Sequence, residues 1–294
     1  MAAALPLPVR LKLDQTLAQW RHWQCGRPLD GPPPFVAPLA AGHSNHSLLV
    51  GESRQFVVRI DGVDPVAHGI NRQAEWLVLQ DAHAAGLAPR PCYFNPDLGV
   101  LVCEYLPPGP ARHQEPDQVA ALLRGIHRLP LRHSRLDLRQ RIRRYEHQFA
   151  RPGASLPLAL AETRDRVLER LSRVAARDHS RAMCHNDLLR GNRLVSGGSL
   201  WAIDWEYCAV GDPLYELAVI ICGDELSEAE AGKLVACYLC REANPAERSA
   251  LLDYCCVYRY LELLWYLAQR HPALDADQQE KAIGLLLDAL ERTA

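Results

Sequence analysis

The feature that most constrains this chain is a short polar loop, His185-x-Asp187-x-x-x-x-Asn192, followed by an apolar strand pattern that ends in Asp204. An isolated Asp and Asn at this spacing would indicate a simple turn, because both residue types favour turns. A preceding histidine and a following strand that ends in a carboxylate make the pattern far more restrictive. The combination predicts a site for phosphoryl transfer.

Phosphoryl transfer depends on positioning and on charge neutralisation, because the transferred group carries its charge on several oxygens. A carboxylate beside the acceptor hydroxyl orients it and takes its proton, and we assign this role to Asp187. A second carboxylate and an amide oxygen hold a metal ion against the phosphates, and we assign these roles to Asp204 and Asn192. The predicted cofactors are therefore ATP and Mg²⁺.

The two halves of the chain differ in their periodicity. In residues 1–106, a helical pattern in the first stretch to about residue 30 is followed by short apolar runs of strand character, with a second helical pattern at 71–85. Helical patterns dominate residues 107–294, apart from a compact strand-rich patch at 182–203. We expect residues 1–106 to form a nucleotide-binding lobe with a hinge, and 107–294 a helical lobe with the catalytic loop and the acceptor site. The predicted fold class is α+β, with a small sheet-rich lobe and a large mainly helical lobe, as in kinases.

Residues 184–218 resemble the choline/ethanolamine kinase branch of the aminoglycoside-phosphotransferase-like superfamily, whose fold is that of the protein kinases. Two runs carry the resemblance, Ile203-Asp204-Trp205-Glu206-Tyr207 and Gly211-Asp212-Pro213-Leu214-Tyr215-Glu216-Leu217-Ala218. It is specific there, and fainter but collinear over nearly the whole chain. The bacterial thiamine kinases share the first run. The resemblance implies an ATP-dependent kinase that phosphorylates a hydroxyl of a small molecule.

The predicted nucleotide half departs from the usual kinase pattern in two ways. The segment 41–47 lies between two strand patterns, where a phosphate-binding loop belongs, but it contains only one glycine. It resembles the Gly-x-Ser-Asn version of the choline kinase branch. None of the three lysines lies between residues 13 and 232, so Arg59 replaces the expected lysine, with Glu75 as its ion-pair partner. The predicted nucleotide contacts are Gly42, Ser44, Asn45, Arg59, Glu75, Glu104 and Leu106, the last two through the backbone of the hinge.

The short stretch of sequence between Asp204 and the next predicted helix indicates a small acceptor. Protein kinases place a long activation segment there, ending in Ala-Pro-Glu. In this chain Asp212 and Pro213 follow within nine residues and open a predicted helix. There is no room for that segment, so a protein substrate is not expected.

An aromatic stripe with one acid predicts the acceptor pocket. Tyr254, Tyr258, Glu262 and Trp265 fall on one face of a predicted helix. Such a stripe is more often plain core, but ring faces beside a carboxylate suit a quaternary ammonium group. Choline or ethanolamine is the first choice of acceptor, thiamine the second, and an aminoglycoside or sugar the third; a non-catalytic kinase-like binder is the alternative from another class. The candidate acceptor contacts are Glu206, Tyr215, Glu216, Tyr258, Glu262 and Trp265.

Composition narrows the partners and the compartment. The net charge of −2 gives no case for nucleic acid or an anionic membrane as a partner, and no apolar run approaches the roughly 20 residues that span a bilayer. No export signal is recognisable, so we expect a cytoplasmic protein of open oligomeric state. Ten cysteines are too sparse for a disulfide scaffold. Cys237 and Cys240 have the spacing of a metal or redox motif but lack a partner pair, which favours buried free thiols.

Overall fold

The structure is a computed structural model, and it describes residues 5–39, 45–109, 114–149, 156–177, 181–269 and 275–292. The chain divides into two compact units. The first unit comprises Met1–His113 and Leu194–Glu206, and the second comprises Gln114–Arg193 and Tyr207–Ala294. Among the described residues, no helix combines the length and the apolar character that a membrane span requires.

The described part of the chain contains ten α-helices, nine strands and two short 3₁₀ helices, Trp20–His22 and Arg190–Asn192. The helices are α1 Leu7–Ala18, α2 Pro65–His68, α3 Arg72–Ala84, α4 Pro116–Ile126, α5 Leu138–Gln148, α6 Leu158–Ala175, α7 Pro213–Gly223, α8 Glu228–Leu239, α9 Pro245–Ala268 and α10 Ala276–Glu291. The strands are β1 Phe35–Pro38, β2 Asn45–Val50, β3 Phe56–Asp61, β4 Pro91–Asn95, β5 Val100–Glu104, β6 Ala182–Cys184, β7 Arg193–Ser196, β8 Ser199–Ala202 and β9 Ala209–Gly211.

The first unit is built on a five-stranded antiparallel sheet in the order β1-β2-β3-β5-β4. Alternate side chains of a strand point to opposite faces of the sheet. In β3, Phe56, Val58 and Ile60 therefore point into the apolar core of the unit. Arg59 points to the opposite face, where the polar site of this unit lies.

Aromatic packing closes the apolar core of the first unit. Trp23 meets Phe56 edge to face with ring centres 5.5 Å apart, and it stacks on Tyr93 at 6.3 Å. Val9 and Leu13 of α1 belong to the same buried cluster. Full burial of such a side chain contributes roughly 1.5–3 kcal/mol relative to exposure. The sheet is thus held rigidly beneath the residues on its polar face.

The second unit is organised around α7, which is buried on all sides. Nine of its eleven residues are buried, a pattern typical of an interior helix. It packs against α9, and α9 in turn packs against α5, α6 and α10. Tyr215 and Glu216 are consequently interior residues, with 2% and 0% of their surface exposed. The strands β6 and β9 pair antiparallel beside α7, with Cys184 opposite Ala209, and β6 leads into the polar loop at 185–192.

The expected burial of the paired thiols is wrong for one of them. Cys240 is exposed, and Cys237 is only partly buried. Cys240 ends α8 in a left-handed conformation with φ of 56°. Its side chain therefore points away from the apolar face of α8 that the sequence pattern suggested.

Candidate active site

The loop that carries Asp187 begins with a tight bend at Asn186. This residue has φ of 64°, a left-handed conformation that Asn tolerates better than most residues. Its side-chain amide donates to the backbone oxygens of Tyr207 (3.1 Å) and Ala209 (3.3 Å). The bend is therefore anchored to β9 and to the residues that precede it.

Glu216 of α7 holds the same bend through hydrogen bonds to its backbone. One of its carboxylate oxygens accepts the backbone N–H groups of His185 and Asn186, both at 2.9 Å. The other oxygen lies 2.6 Å from Nε2 of His127, whose Nδ1 is 2.8 Å from the hydroxyl of Tyr238. Burial acts to raise the pKa of Glu216, but the hydrogen bond and charge of His127 outweigh it and leave the pKa lowered.

This arrangement gives Glu216 a different place from the one expected from sequence. The residue was assigned to the acceptor, but its carboxylate contacts the backbone of the catalytic loop. The donor atoms of His127, Cys184 and Glu216 lie within 4.8 Å of one another. Hydrogen bonds account for the His127–Glu216 part of this cluster, so it forms a support for the loop.

Asp187 is oriented by Asn192 at the other end of the loop. The side-chain amide of Asn192 donates to both the backbone oxygen and Oδ2 of Asp187, each at 2.8 Å. The segment is then tied down through Asp224, just beyond α7, which accepts the backbone N–H of Arg190 at 2.9 Å and pairs with Arg193. Arg193 and Asp224 were not predicted from the sequence. Their pairing follows from burial, because an arginine this deeply buried needs an acidic partner.

The aromatic stripe of α9 lies within electrostatic range of Asp187. The hydroxyl of Tyr258 donates to Glu262 at 3.0 Å, and Trp265 contacts Tyr266 edge to face at 5.1 Å. Burial, then the charge of Glu262, then that of Asp187 raise the pKa of Tyr258. Burial, Glu262 and Asp187 raise the pKa of Tyr266 in the same way.

The charge of Glu262 is only partly compensated. Burial raises its pKa, and the Tyr258 hydroxyl and the more distant Arg259 only partly oppose this effect. No salt bridge reaches Glu262 from the described residues. A partly buried carboxylate of this kind favours a cationic ligand.

Gly223 allows the loop and α9 to approach each other closely. A Cβ atom at this position would lie 2.3 Å from Cδ2 of Leu189 and 2.8 Å from the hydroxyl oxygen of Tyr258. Both distances are far below van der Waals contact. A larger residue at the end of α7 would therefore require the side chains of Leu189 and Tyr258 to shift.

In the first unit, Arg59 forms the predicted ion pair with Glu75. One guanidinium nitrogen lies 2.8 Å from Oε2 of Glu75, and the other contacts Oε1 and also Asp204 at 2.9 Å. The exposed fractions of the side chains are 9% for Arg59 and 2% for Glu75. Burial acts to lower the pKa of Arg59, but the charges of Glu75 and Asp204 raise it well above its usual value.

Asp204 adopts a conformation that is rare outside glycine. Its φ is 60°, which costs energy for a residue with a Cβ atom and is often found at functional sites. Burial raises the pKa of Asp204 against the opposing charge of Arg59. Burial and the charge of Asp204 likewise raise the pKa of Glu206.

The charges of this unit fit a divalent cation. Within the described part of the chain, the four buried or partly buried acids Asp61, Glu75, Asp204 and Glu206 share two guanidinium groups, those of Arg59 and Arg72. When all four are ionised, two negative charges remain in excess. Carboxylate oxygens are the ligands that Mg²⁺ prefers. The donor chemistry around Asp204 is thus suited to this ion.

Three further predicted nucleotide contacts lie in the described residues, and two do not. Glu104 ends β5, and its backbone N–H donates to the oxygen of Arg90 at 2.9 Å. The backbone N–H of Leu106 has no hydrogen-bond partner within the described part of the chain. Asn45 is 5% exposed, and its amide donates to Glu206 at 2.9 Å. Gly42 and Ser44 lie outside the described residues.

A family model for the phosphotransferase enzyme family, APH, matches residues 36–252. The chain belongs to this family. The match includes the loop at 185–192, Arg59 and Asp204. It also includes all of α7 and α8 and the part of α9 up to residue 252. The protein is accordingly a phosphotransferase, and the expectation of an enzyme is confirmed.

Individual relatives of this phosphotransferase include kinases for small molecules. It is 30% identical over 189 residues to a thiamine kinase of Shigella boydii serotype 4, covering 63% of this chain and 65% of the relative. It is 43% identical over 61 residues to protein LicA of Haemophilus influenzae, which is 21% of this chain. The matched part spans only 22% of LicA.

A solved structure confirms the predicted protein-kinase-like fold. The phosphotransferase is similar to a choline/ethanolamine kinase family protein from Mesorhizobium loti, with a TM-score of 0.74 and 24% identity. The similarity covers 96% of this chain and 95% of that protein. The α+β class, with a sheet-rich part and a mainly helical part, agrees with the expectation from sequence.

Proposed function

We propose that this phosphotransferase transfers the γ-phosphoryl group of ATP to the hydroxyl of a small amino-alcohol, choline or ethanolamine. The observation that carries the proposal is the partly buried and only partly compensated carboxylate of Glu262 on the aromatic face of α9. A cationic head group would offset that charge directly, and the faces of Tyr258 and Trp265 would attract it through their electron-rich rings. The charge of Asp187 reaches the same face.

Asp187 is the proposed base for the acceptor. The hydroxyl oxygen forms a bond to the γ-phosphorus, the bond between that phosphorus and the ADP oxygen breaks, and the hydroxyl proton passes to the Asp187 carboxylate. Asn192 holds this carboxylate in one orientation through the contact at 2.8 Å. Positioning of this kind is the main contribution a protein makes to phosphoryl transfer.

The nucleotide contacts are proposed for each unit separately. In the first unit Asp204 is the proposed metal ligand, Arg59 and Asn45 are proposed phosphate-side residues, and Leu106 is a proposed adenine contact. In the second unit Asn192 is a proposed ligand through its side-chain oxygen. The chemistry that Mg²⁺ supplies when bound is neutralisation of the phosphate charge.

Thiamine is the second candidate acceptor. The similarity to a thiamine kinase extends over 189 residues and favours this reading. Thiamine also carries a cationic ring, which Glu262 and the aromatic residues of α9 would accommodate. An aminoglycoside remains a third candidate, since these acceptors also carry cationic groups.

A panel assay tests the acceptor. The purified chain is incubated with ATP, Mg²⁺ and choline, ethanolamine, thiamine or an aminoglycoside, and phosphorylated product is detected by phosphorus NMR. We expect a phosphate ester of choline or ethanolamine. If thiamine alone yields its monophosphate, the amino-alcohol proposal is wrong. The same assay with Asp187→Asn tests the proposed base, and Asp277→Asn, at an exposed position on α10, is its control.

A further inference from the structure

Arg72, in the first turn of α3, makes more polar contacts than any role in helix formation requires. Its side chain is 8% exposed, and its two terminal nitrogens contact four different residues. One nitrogen donates to Glu75 at 2.8 Å and to Glu206 at 3.1 Å. The other lies 2.6 Å from Asp61 and donates to Asn45 at 3.2 Å.

Three of these residues form a closed ring of contacts. Arg72 donates to Glu206 and to the side-chain oxygen of Asn45, and the amide nitrogen of Asn45 donates to the same oxygen of Glu206 at 2.9 Å. Asn45 is the first residue of β2, and Glu206 lies two positions after Asp204. The ring therefore joins the start of β2 to the segment that carries Asp204.

Glu75 connects this ring to the predicted ion pair. Its Oε2 accepts from Arg72 and from Arg59, and Arg59 also contacts Asp204. The contacts thus run without interruption from Asn45 and Glu206 through Arg72 and Glu75 to Arg59 and Asp204. Removal of Arg72 would leave Glu206 and Asn45 held only by each other among these contacts.

We propose that Arg72 is a positioning residue for the nucleotide half of the reaction. It holds Asn45 and Glu206 in register with the Arg59–Glu75 pair and with Asp204. This inference rests on the proposed function, since it assigns a role within the same nucleotide site. The role requires arginine, because a planar fork can serve four acceptors in fixed directions, whereas the single ammonium group of lysine cannot.

The alternative is that Arg72 only neutralises buried acids for stability. Both readings predict a loss of thermal stability on substitution, so stability alone does not separate them. Binding of Mg²⁺–ADP does separate them, because only the positioning role links Arg72 to the nucleotide. It also requires no acceptor, so it remains valid whichever molecule is phosphorylated.

The test measures ADP binding by titration calorimetry, with and without Mg²⁺, at a temperature where every variant is folded. The variants are Arg72→Lys, Glu206→Gln and the double variant. Arg170→Met is the matched control, because Arg170 is a largely buried arginine, with 11% of its side chain exposed, and pairs with Asp253 in the second unit. Circular dichroism confirms the folded state of each variant.

We expect Arg72→Lys to weaken Mg²⁺–ADP binding by about 10-fold or more, the usual range for a residue that orients the ligands of a metal. Arg170→Met should lower the melting temperature without this loss. The double variant should bind about as weakly as the weaker single variant, because both changes disrupt one ring of contacts. Wild-type affinity in Arg72→Lys, or additive losses in the double variant, would overturn the proposal. Lack of phosphorylation of any acceptor by the wild type would instead contradict the proposed function.

Discussion

The amide nitrogen of Asn192 donates to the carboxylate of Asp187 across five residues, at 2.8 Å. The same nitrogen also donates to the backbone oxygen of Asp187, so the contact fixes the backbone and the side chain together. Asn192 has its side-chain oxygen left for another partner, since both contacts use the nitrogen. One residue can thereby orient the proposed base and offer an oxygen ligand to a metal ion.

Replacing Asp187 by Asn should remove most of kcat and leave nucleotide binding almost unchanged. The amide has similar size but cannot accept the hydroxyl proton, and a general base typically contributes about 10²–10⁴-fold to the rate. Steady-state kinetics and ADP binding measure the two effects. Asp277→Asn should retain the wild-type rate. A fully active Asp187→Asn variant would require a different base.

Replacing Glu262 by Gln should raise KM for a cationic acceptor and also raise the melting temperature near neutral pH. Burial raises the pKa of Glu262 in the folded state, so its ionised form is disfavoured there relative to the unfolded chain. The uncharged amide avoids that cost but no longer attracts a cation. Glu280→Gln, exposed on α10, serves as the control and should change neither quantity.

The affinity for a cationic acceptor should fall as the pH is lowered. The raised pKa means that Glu262 takes up its proton at a higher pH than an exposed glutamate, and protonation removes the charge that binds the acceptor. Tyr258, Arg259 and Glu225 also contribute to this pKa. KM measured against pH should therefore rise on the acid side, and the rise should be absent in Glu262→Gln. The same rise in that variant would assign it to another group.

Replacing Arg59 by Met should lower the free energy of unfolding by about 3 kcal/mol. Removing one member of a buried ion pair leaves the other charge without full compensation, although Arg72 still contacts Glu75. Urea denaturation measures the change. Arg10→Met, at an exposed position in α1, should stay within about 0.5 kcal/mol of the wild type. Equal free energies of unfolding for the two variants would show that the buried Glu75 does not need the ion pair with Arg59.

Replacing Glu216 by Ala should destabilise the catalytic loop, and Glu216→Gln should do so much less. Alanine leaves the backbone N–H groups of His185 and Asn186 buried without their acceptor, at a cost of about 1–3 kcal/mol each. Glutamine retains an oxygen that can accept both. Hydrogen exchange at these two amides should accelerate in the alanine variant. Unchanged exchange would mean that Glu216 is not what holds the loop.

The sequence predicted most of the helices well because local patterns determine them, whereas the catalytic role of the loop at 185–192 stays a prediction. The α3 pattern begins at Asn71, which caps the helix by accepting from the N–H of Ala74, and α9 begins at Asn244 in the same way. The strand β4 was not predicted. β4 begins with Pro91, and its pairing with β5 shifts register between Pro91 and Tyr93. Its own sequence therefore gives a weak strand pattern, and the strand forms through its hydrogen bonds to β5.

The contacts around the site were harder to predict, because they depend on side chains that are distant in sequence. Arg72 looks like an ordinary helix arginine until β2, β3 and residue 206 surround it with acceptors. Tyr215 and Glu216 were assigned to the acceptor from their place in a motif. The apolar residues on every side of α7 were the available signal that both are interior.

Gly223 illustrates a hazard for anyone who maps this protein by alanine scanning. Such a scan assumes that alanine removes the interactions of a side chain. At Gly223, however, alanine would add a methyl group close to Leu189 and Tyr258. Any loss of activity would then come from displacement of Leu189 and Tyr258, and not from removal of an interaction made by Gly223. Attempts to enlarge the range of acceptors should therefore vary the neighbours of Gly223 and keep the glycine itself.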